Sequence, residues 1–199
     1  MPEPLIPPHG GYKKLVTYRL GNLIYDATVA FCERYFSRKD RTFDRMVQAA
    51  RSGVANIIEG SEASATSKKT ELKLTNVAKA SQEELLADYQ AFLRQRDLPE
   101  WAPDSPGAEG VRQSRPADLA ELRQLMGTMV TALAAAQSDR SDRSDIMATV
   151  AANTMICLVN QETYLLKRQI DRLAADFENE GGFTERLYRT RKSRRDGEK

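Results

Sequence analysis

The distribution of proline constrains the fold of this chain more than any other feature of the sequence. All eight prolines lie in two short stretches, four of them within the first eight residues and four between residues 99 and 116. Proline breaks the interior of a helix and is excluded from central strands. The proline-free spans that follow each stretch are long enough for extended helices, and their apolar periodicity decides whether such helices form.

Apolar residues recur at helical spacing of three to four in these spans, and no alternating strand pattern or hairpin signal accompanies them. The first helix is predicted from about Tyr12 to Ser37, and the second from about Asp40 to Ile58. The third is predicted from about Lys68 to Arg96. A weaker helical span covers Ala117 to Ala136, and a last long helix runs from about Asp145 to Glu178.

We therefore predict an all-α protein, an up-and-down antiparallel four-helix bundle, over residues 12–178. Residues 1–11 are expected to form a flexible proline-rich arm, and residues 179–199 a basic C-terminal tail. Residues 97–145 are expected to be an insertion or linker that carries one additional helical segment. Its end, SDRSDRSD at 138–145, has the composition of a solvated polar turn.

The composition indicates an amphipathic helical protein of one domain. The chain has 199 residues, of which 41% are hydrophobic, 29% charged and 7% aromatic. No apolar run approaches the roughly 20 residues that a membrane span needs, and the start has no secretory pattern. Cys32 and Cys157 lie far apart in apolar helical patterns and are predicted to be buried free thiols. We expect a cytoplasmic protein without a membrane partner.

No known catalytic or metal-binding signature occurs. The only histidine is His9, in the proline-rich arm, and two cysteines with one histidine do not make a usual zinc site. Phosphate-binding loops, dinucleotide fingerprints and C-x-x-C pairs are absent from the sequence. We therefore expect no enzyme activity, no cofactor and no metal.

Charge is unevenly distributed along the chain. The formal net charge is only +2, but residues 13–51 carry nine Lys/Arg against four Asp/Glu. Residues 185–199 carry seven Lys/Arg against three Asp/Glu, with Tyr188 among them. Such a tail can bind a phosphate backbone without sequence specificity, or it can be a solvated, frayed end. Six of these seven cations fall within ten residues and are the candidate nucleic-acid-binding residues of the tail: Arg186, Arg189, Arg191, Lys192, Arg194 and Arg195.

Two glycines precede this tail. Gly181-Gly182 is expected to end the last long helix, because glycine accepts the left-handed conformation of a helix C-terminus. Thr184 is then expected to cap a short basic helix.

Lys68 and Lys69 open the predicted third helix, where the helix dipole disfavours positive charge. Thr66 or Ser67 is the predicted N-cap, and Glu71 offsets part of the cost. A phosphate would offset all of it, which makes both lysines candidate nucleic-acid-binding residues. Alternatively, both side chains point to solvent and the cost is tolerated.

The segment before these lysines contains Asn56, Glu59 and Gly60. Asn56 and Glu59 share a helix face, and Gly60 can take the left-handed conformation that ends a helix. We predict a structural helix end here, with Asn56 satisfied by backbone. The alternative is a polar ligand site.

Two other features bear on association. The first helix carries a second apolar row beside its main one, which favours a homo-oligomer. Asn160, Gln161 and Gln169 interrupt the apolar last helix, either as outward-facing residues or as buried amides that set register.

The stretch RSGVANIIEGSEASATSKKTEL resembles the central motif of bacterial four-helix-bundle proteins. These include proteins encoded in intervening sequences of large-subunit ribosomal RNA and the accessory variability protein of diversity-generating retroelements. The A-x-x-S-x-x-E-L pattern at 78–85 is also similar, and MICLVNQETYLLKRQIDRLAADFENEGGFTERLYRTR resembles the C-terminal suffix of one branch. The matching motif positions are Arg51, Ser52, Ala55, Asn56, Ile57, Glu59, Gly60, Lys68, Lys69 and Glu71.

The resemblance covers residues 12–96 and 146–191 and implies a four-helix bundle that assembles into a ring-shaped homo-oligomer, a pentamer. The retroelement members of that family partner a reverse transcriptase and nucleic acid. The expected function is that of a non-catalytic accessory protein that binds RNA or DNA or acts with a nucleic-acid-handling partner. The alternative is a ring-shaped scaffold for a partner protein, such as a reverse transcriptase or a defence effector, without direct nucleic-acid binding.

Overall fold

The computed structural model of the chain describes residues 9–136 and 143–197. Their regular secondary structure is entirely helical, which confirms the predicted all-α class. In the same residues, none of the helices combines the length and the apolarity that a membrane crossing requires. A 3-10 turn at Tyr12–Lys14 precedes α1 (Val16–Tyr35), α2 (Arg41–Ala63), α3 (Lys68–Gln95), α4 (Pro106–Ser114), α5 (Leu119–Ala136), α6 (Arg143–Glu180) and α7 (Phe183–Gly197).

Side-chain caps begin α2, α3, α4 and α5, and Asp118 supplies the one at α5. Asp40 Oδ1 accepts from the backbone N–H of Thr42 at 2.8 Å at the start of α2. Ser67 Oγ accepts from the N–H of Thr70 at 3.1 Å, so Ser67 is the cap of α3. Ser105 caps α4 with Pro106 in the first turn. Each such cap stabilises its helix by about 1 kcal/mol.

The predicted start of the first helix at Tyr12 is wrong by four residues. Tyr12–Lys14 form a separate 3-10 turn, and Leu15 has an extended backbone with ψ of 133°. The turn packs back on α1, since the ring of Tyr12 meets that of Tyr18 edge-on at 4.9 Å.

The prediction that Gly60 ends the second helix is also wrong. α2 continues to Ala63, and Gly60 is a buried helical residue whose φ is not positive. A Cβ at Gly60 would lie 3.4 Å from Leu74 Cβ and 3.5 Å from the carbonyl oxygen of Glu71. The absence of a side chain therefore serves the close approach of α2 to α3.

The four long helices α1, α2, α3 and α6 enclose the main core. α1 contacts α2 and α6, and α3 contacts the same two helices. The facing residues advance in opposite directions along α1–α2, α2–α3 and α1–α6, so neighbouring helices are antiparallel. The facing pairs are Cys32 with Met46, Gly21 with Val54, Arg45 with Asp88, Gly60 with Leu74, Thr17 with Gln169 and Gly21 with Glu162.

Both apolar rows of α1 are used largely within the chain. Ile24 and Phe31 of the main row are buried in the core. Tyr25 and Phe36 of the second row pack against the same core, and Tyr18 packs against a smaller cluster. The width of the apolar surface on α1 does not by itself require a second copy of the chain.

The predicted insertion at 97–145 contains two α-helices, α4 and α5, where one was expected. Both pack on α6, and Val111 of α4 and Leu122 of α5 are fully buried. The segment before α4 is tied to α6 because the N–H of Trp101 donates to Asn153 Oδ1 at 2.7 Å. Asn153 Nδ2 in turn donates to the carbonyl of Pro99 at 2.9 Å. Residues 97–136 are therefore part of the folded structure around α6.

The predicted C-terminal stop of the long helix is confirmed. α6 ends at Glu180, and Gly181 adopts φ of +73° while its N–H donates to the carbonyl of Phe177 at 3.0 Å. The predicted cap at Thr184 is wrong, because α7 already begins at Phe183. The N–H of Gly182 donates instead to Glu185 Oε2 at 2.9 Å.

Parts of three sequence predictions lie outside the described residues. These are the proline-rich arm at 1–8, most of the polar turn at 138–145 and the last two residues of the tail. Within the described part of the arm, the N–H of Gly10 donates to the carbonyl of Ser61 at 3.3 Å.

Candidate functional site

The first turn of α3 places the two candidate lysines in different environments. Lys68 Nζ lies 3.3 Å from Glu71 Oε2, and the Lys68 side chain is largely buried. Lys69 is exposed. Glu71 thus offsets the unfavourable dipole interaction of Lys68, whereas Lys69 is left to solvent or to an anion.

An electrostatic interaction of Glu71 shows that the C-terminal end of α6 lies near the start of α3. Burial is the main cause of a raised pKa at Glu71, Lys68 opposes this rise, and the nearby Asp176 adds to it. Asp176 lies five residues before Gly181, so α7 emerges at the same end of the molecule as Lys68 and Lys69. The structure thus brings the two predicted basic groups to one end.

The cations of α7 are distributed around the helix axis. At 100° per residue, Arg186, Arg189 and Lys192 lie on one side, whereas Arg191 and Arg195 lie on the opposite one. All of these except the half-buried Arg186 are exposed, as are Arg194 and the ring of Tyr188 at 68%. A helix that is charged on most sides suits contact with a surrounding phosphate backbone better than docking on one flat protein surface.

The remaining motif residues have structural roles. Asn56 Nδ2 donates to the carbonyl of Ser52 at 2.8 Å and to Ser52 Oγ at 3.2 Å. Ser52 Oγ also accepts from Ser81 Oγ at 3.0 Å, which joins α2 to α3. Arg51 and Glu59 are exposed. These contacts agree with the structural interpretation of Asn56 and do not assemble a ligand site.

The core contains a polar layer that was not predicted from the sequence. We use this name for Gly21 of α1, Gly53 of α2, Gln82 of α3 and Glu162 of α6. Gln82 and Glu162 are fully buried, and neither side chain has a hydrogen-bond partner among residues 9–136 and 143–197. A Cβ at Gly21 would lie 2.6 Å from Glu162 Oε1, and a Cβ at Gly53 would overlap Gln82 Nε2. Each glycine therefore makes room for a buried polar side chain.

This layer separates two apolar clusters. The main cluster contains Leu85 and Val159, one turn away on one side. The smaller cluster contains Ile57, Ala78 and Leu166 on the other side. One feature of the sequence could have predicted the burial of Glu162. It lies three residues after Val159 and four before Leu166, on the apolar face of α6.

Burial raises the pKa of the Glu162 carboxyl to about 8. This carboxyl is therefore mostly protonated at neutral pH, which avoids the cost of an unpaired buried charge. Glu162 is not among the residues that line the two cavities adjoining α1 and α6.

The three amides predicted on α6 have different surroundings. Asn160 is exposed, and Gln169 Oε1 accepts from Thr17 Oγ1 of α1 at 3.2 Å. Gln161 Nε2 is buried and has no hydrogen-bond partner within the described ranges. Asn160 therefore faces outward, whereas Gln169 makes a contact between α6 and α1.

Both cysteines are free thiols, as predicted. Cys32 is buried, with its Sγ 3.9 Å from Met46 Sδ, and burial raises its pKa to about 12. Cys157 is only half-buried, and burial also raises its pKa. Neither thiol is activated as a nucleophile. Among residues 9–136 and 143–197, no group of three or more His, Cys, Asp or Glu is placed to hold a metal ion.

No family model, no curated protein and no solved structure matches this chain.

Proposed function

We propose that this chain is a non-catalytic accessory protein that binds RNA or DNA through the phosphate backbone. The observation that carries the proposal is α7, a helix with six cations in ten residues that begins at the same end of the molecule as Lys69. The proposal includes membership of the bacterial family named above and an up-and-down four-helix bundle formed by α1, α2, α3 and α6. The antiparallel contacts among these helices support that arrangement.

The chemistry of α7 favours sequence-independent contact. Lysine and arginine side chains that neutralise phosphates release counterions, and this supplies most of the affinity of non-specific binding. Tyr188 is exposed among these cations and offers a ring on which an unstacked base can pack. Single-stranded nucleic acid is therefore the preferred ligand within the proposal.

Salt dependence of binding by the full chain tests this proposal. Fluorescence anisotropy with a labelled single-stranded oligonucleotide, as RNA and as DNA, would measure affinity over a range of salt concentrations. We expect binding at low salt and a linear decrease of log K with log salt, with a slope of about −0.7 per phosphate contact. The absence of binding at low salt would reject the proposal.

A matched pair of variants locates the contact. Arg191→Gln/Lys192→Gln removes two exposed charges from α7, and Lys39→Gln/Arg41→Gln removes two exposed charges near the start of α2, at the opposite end. The α7 variant should make the slope shallower by about 1.4, whereas the control should leave it unchanged. Equal losses from both pairs would assign binding to net charge rather than to α7.

A second candidate, a homo-oligomeric scaffold, is favoured by a different observation. Val16 and Tyr164 are 55% and 61% exposed, and both line a groove of about 630 Å³ between α1, α6 and the end of α4. Three arginines, Arg19, Arg112 and Arg115, also line this groove. Leu20 and Leu165 line the same groove. An exposed apolar groove of this kind is typical of an interaction surface, and the family resemblance implies a pentameric ring.

Light scattering at several protein concentrations tests the scaffold. A closed oligomer should give a multiple of the 22.3 kDa chain mass, and Tyr164→Glu should lower it. A monomer at every concentration would exclude self-association and leave the nucleic-acid proposal intact.

A further inference from the structure

A cavity between α1, α5 and α6 has a volume of about 980 Å³. This volume is at the upper end of the range of small-molecule pockets. Its apolar lining includes Phe31, Met126, Val130, Met147, Ala151 and Met155. Three of these six are methionines, whose flexible side chains adapt to apolar ligands of different shape.

The charged groups of this pocket are not balanced. Arg34, Arg123 and Arg143 line it, and none of them has a carboxylate within 4.0 Å in the described part of the chain. The acidic residue of the lining, Glu33, is paired outside it, with Arg38 Nη2 at 2.6 Å. The pocket therefore has a surplus of positive charge beside an apolar surface.

A second polar group of the lining also lacks a partner. The hydroxyl of Tyr35 is buried with no hydrogen-bond partner among the described residues, although its ring packs against Phe92 at 5.2 Å. A buried hydroxyl without a partner is unusual in a native protein. Like the guanidinium groups, this hydroxyl can donate to an anion.

Gly127 supplies an independent argument. It lies in the middle of α5, where glycine is less favourable than alanine, and it lines the pocket. A Cβ at this position would meet nothing within 4 Å, so no neighbouring residue requires the glycine. Arg123 lies one turn earlier on the same face. A glycine here keeps the pocket open beside an unpaired arginine.

We propose that this pocket binds an amphipathic anion, with the apolar body on the methionine-rich surface and a carboxylate or phosphate head at the arginines. A neutral apolar ligand would leave the arginines unpaired. A cationic ligand would be repelled by them.

Isothermal titration calorimetry of the full chain tests this inference, with ligands below their micelle concentrations. The probes are dodecanoate and dodecyl phosphate, with dodecyltrimethylammonium as the same chain on a cationic head and acetate as the head alone. We expect one site per chain for at least one anionic probe, with affinity at least about tenfold above both controls. The preferred head then identifies a carboxylate or a phosphate source.

Two variants and one control locate the site. Gly127→Leu extends a side chain into open space at the pocket and should reduce affinity for the anionic probe by more than about tenfold. Arg123→Gln should reduce it about two- to fivefold, as expected for an exposed charge pair. Arg172→Gln lies on α6 more than 15 residues beyond Met155, about 25 Å along the helix, and should have no effect.

Circular dichroism should show the Gly127→Leu variant to be folded, because leucine is the better helix former at this position. Equal affinity for the cationic probe, no binding of either anionic probe, or unchanged affinity in folded Gly127→Leu would overturn the inference.

Discussion

Two fully buried polar side chains, Tyr89 of α3 and Glu162 of α6, differ in whether they have a partner. Tyr89 Oη donates to Thr28 Oγ1 of α1 at 2.9 Å, and its ring meets Phe31 edge-on at 4.9 Å. Glu162 lies in the polar layer, where neither of its oxygens has a hydrogen-bond partner in the part of the chain that the structure describes.

The difference shows what a partner contributes to a buried polar group. The pair of Tyr89 and Thr28 satisfies one donor and adds a specific contact between α1 and α3 at little net cost. Glu162 escapes the cost of a buried charge only by remaining protonated, so its contribution to stability depends on pH. The stability contributed by the region around Tyr89 is therefore insensitive to pH near neutrality, whereas that of the region around Glu162 depends on pH.

The largest expected effect is the pH dependence itself. Burial raises the pKa of Glu162 from 4.5 to about 8, so the folded state holds this proton over a pH range in which the unfolded state releases it. The free energy of unfolding should therefore fall as pH rises from about 4.5 to about 8, by about 1.4 kcal/mol for each pH unit. Guanidinium unfolding of wild type at several pH values in this range measures the fall.

Glu162→Gln is the control for this prediction, since its amide cannot titrate. The difference in unfolding free energy between wild type and this variant should change with pH by several kcal/mol, because only wild type becomes less stable as pH rises. A constant difference from pH 5 to pH 8 would contradict the assignment.

Replacement of Glu162 by an apolar residue should give the next largest effect. Glu162→Leu should stabilise the protein at pH 8 by about 1–4 kcal/mol, because an unpaired buried carboxyl is exchanged for apolar contacts. Glu84→Leu, at an exposed position of α3, should change stability by no more than about 0.5 kcal/mol. Urea unfolding at pH 8 distinguishes them, and a destabilised Glu162→Leu would show that the carboxyl has a partner in solution.

A smaller loss is expected when the space beside Glu162 is filled. Gly21→Ala places a Cβ 2.6 Å from Glu162 Oε1 and 3.3 Å from Val54 Cγ2, and should destabilise by about 1–3 kcal/mol. Gly127→Ala meets no neighbour and should stabilise by up to about 1 kcal/mol through helix propensity.

A double-mutant cycle then tests whether Glu162 is the cause. Removal of its side chain in Glu162→Ala should make Gly21→Ala much less costly than in wild type. Thermal unfolding of the four proteins provides the comparison, and full additivity would exclude a clash between these two residues.

The smallest expected effect on stability is that of removing the Tyr89 hydroxyl, which is paired with Thr28. Tyr89→Phe leaves the Thr28 hydroxyl without its partner and should destabilise by about 1 kcal/mol, equally at pH 5 and at pH 8. Tyr188→Phe, on the exposed ring of α7, should leave stability unchanged. A pH-dependent loss in Tyr89→Phe would show that the two regions of the core are coupled.

Several boundaries could be predicted because their signals are local. Ser67 before the third helix and Gly181 after the sixth are residues whose own backbone and side-chain chemistry starts or ends a helix. α4 carried the same kind of signal in Ser105-Pro106, but its nine residues are too few for a clear apolar period. The clustering of basic residues in α7 was likewise visible in the sequence.

The sequence by itself determined the helical class, most helix boundaries and the basic end of the chain, because periodicity, caps and prolines act within a few residues. Only the tertiary structure decided that Gly60 and Gly21 are sites of close approach and that Lys68 is paired whereas Lys69 is exposed. It also decided that Glu162 is buried opposite a glycine. These properties depend on which helix faces which, and the packing of residues distant in sequence sets that arrangement.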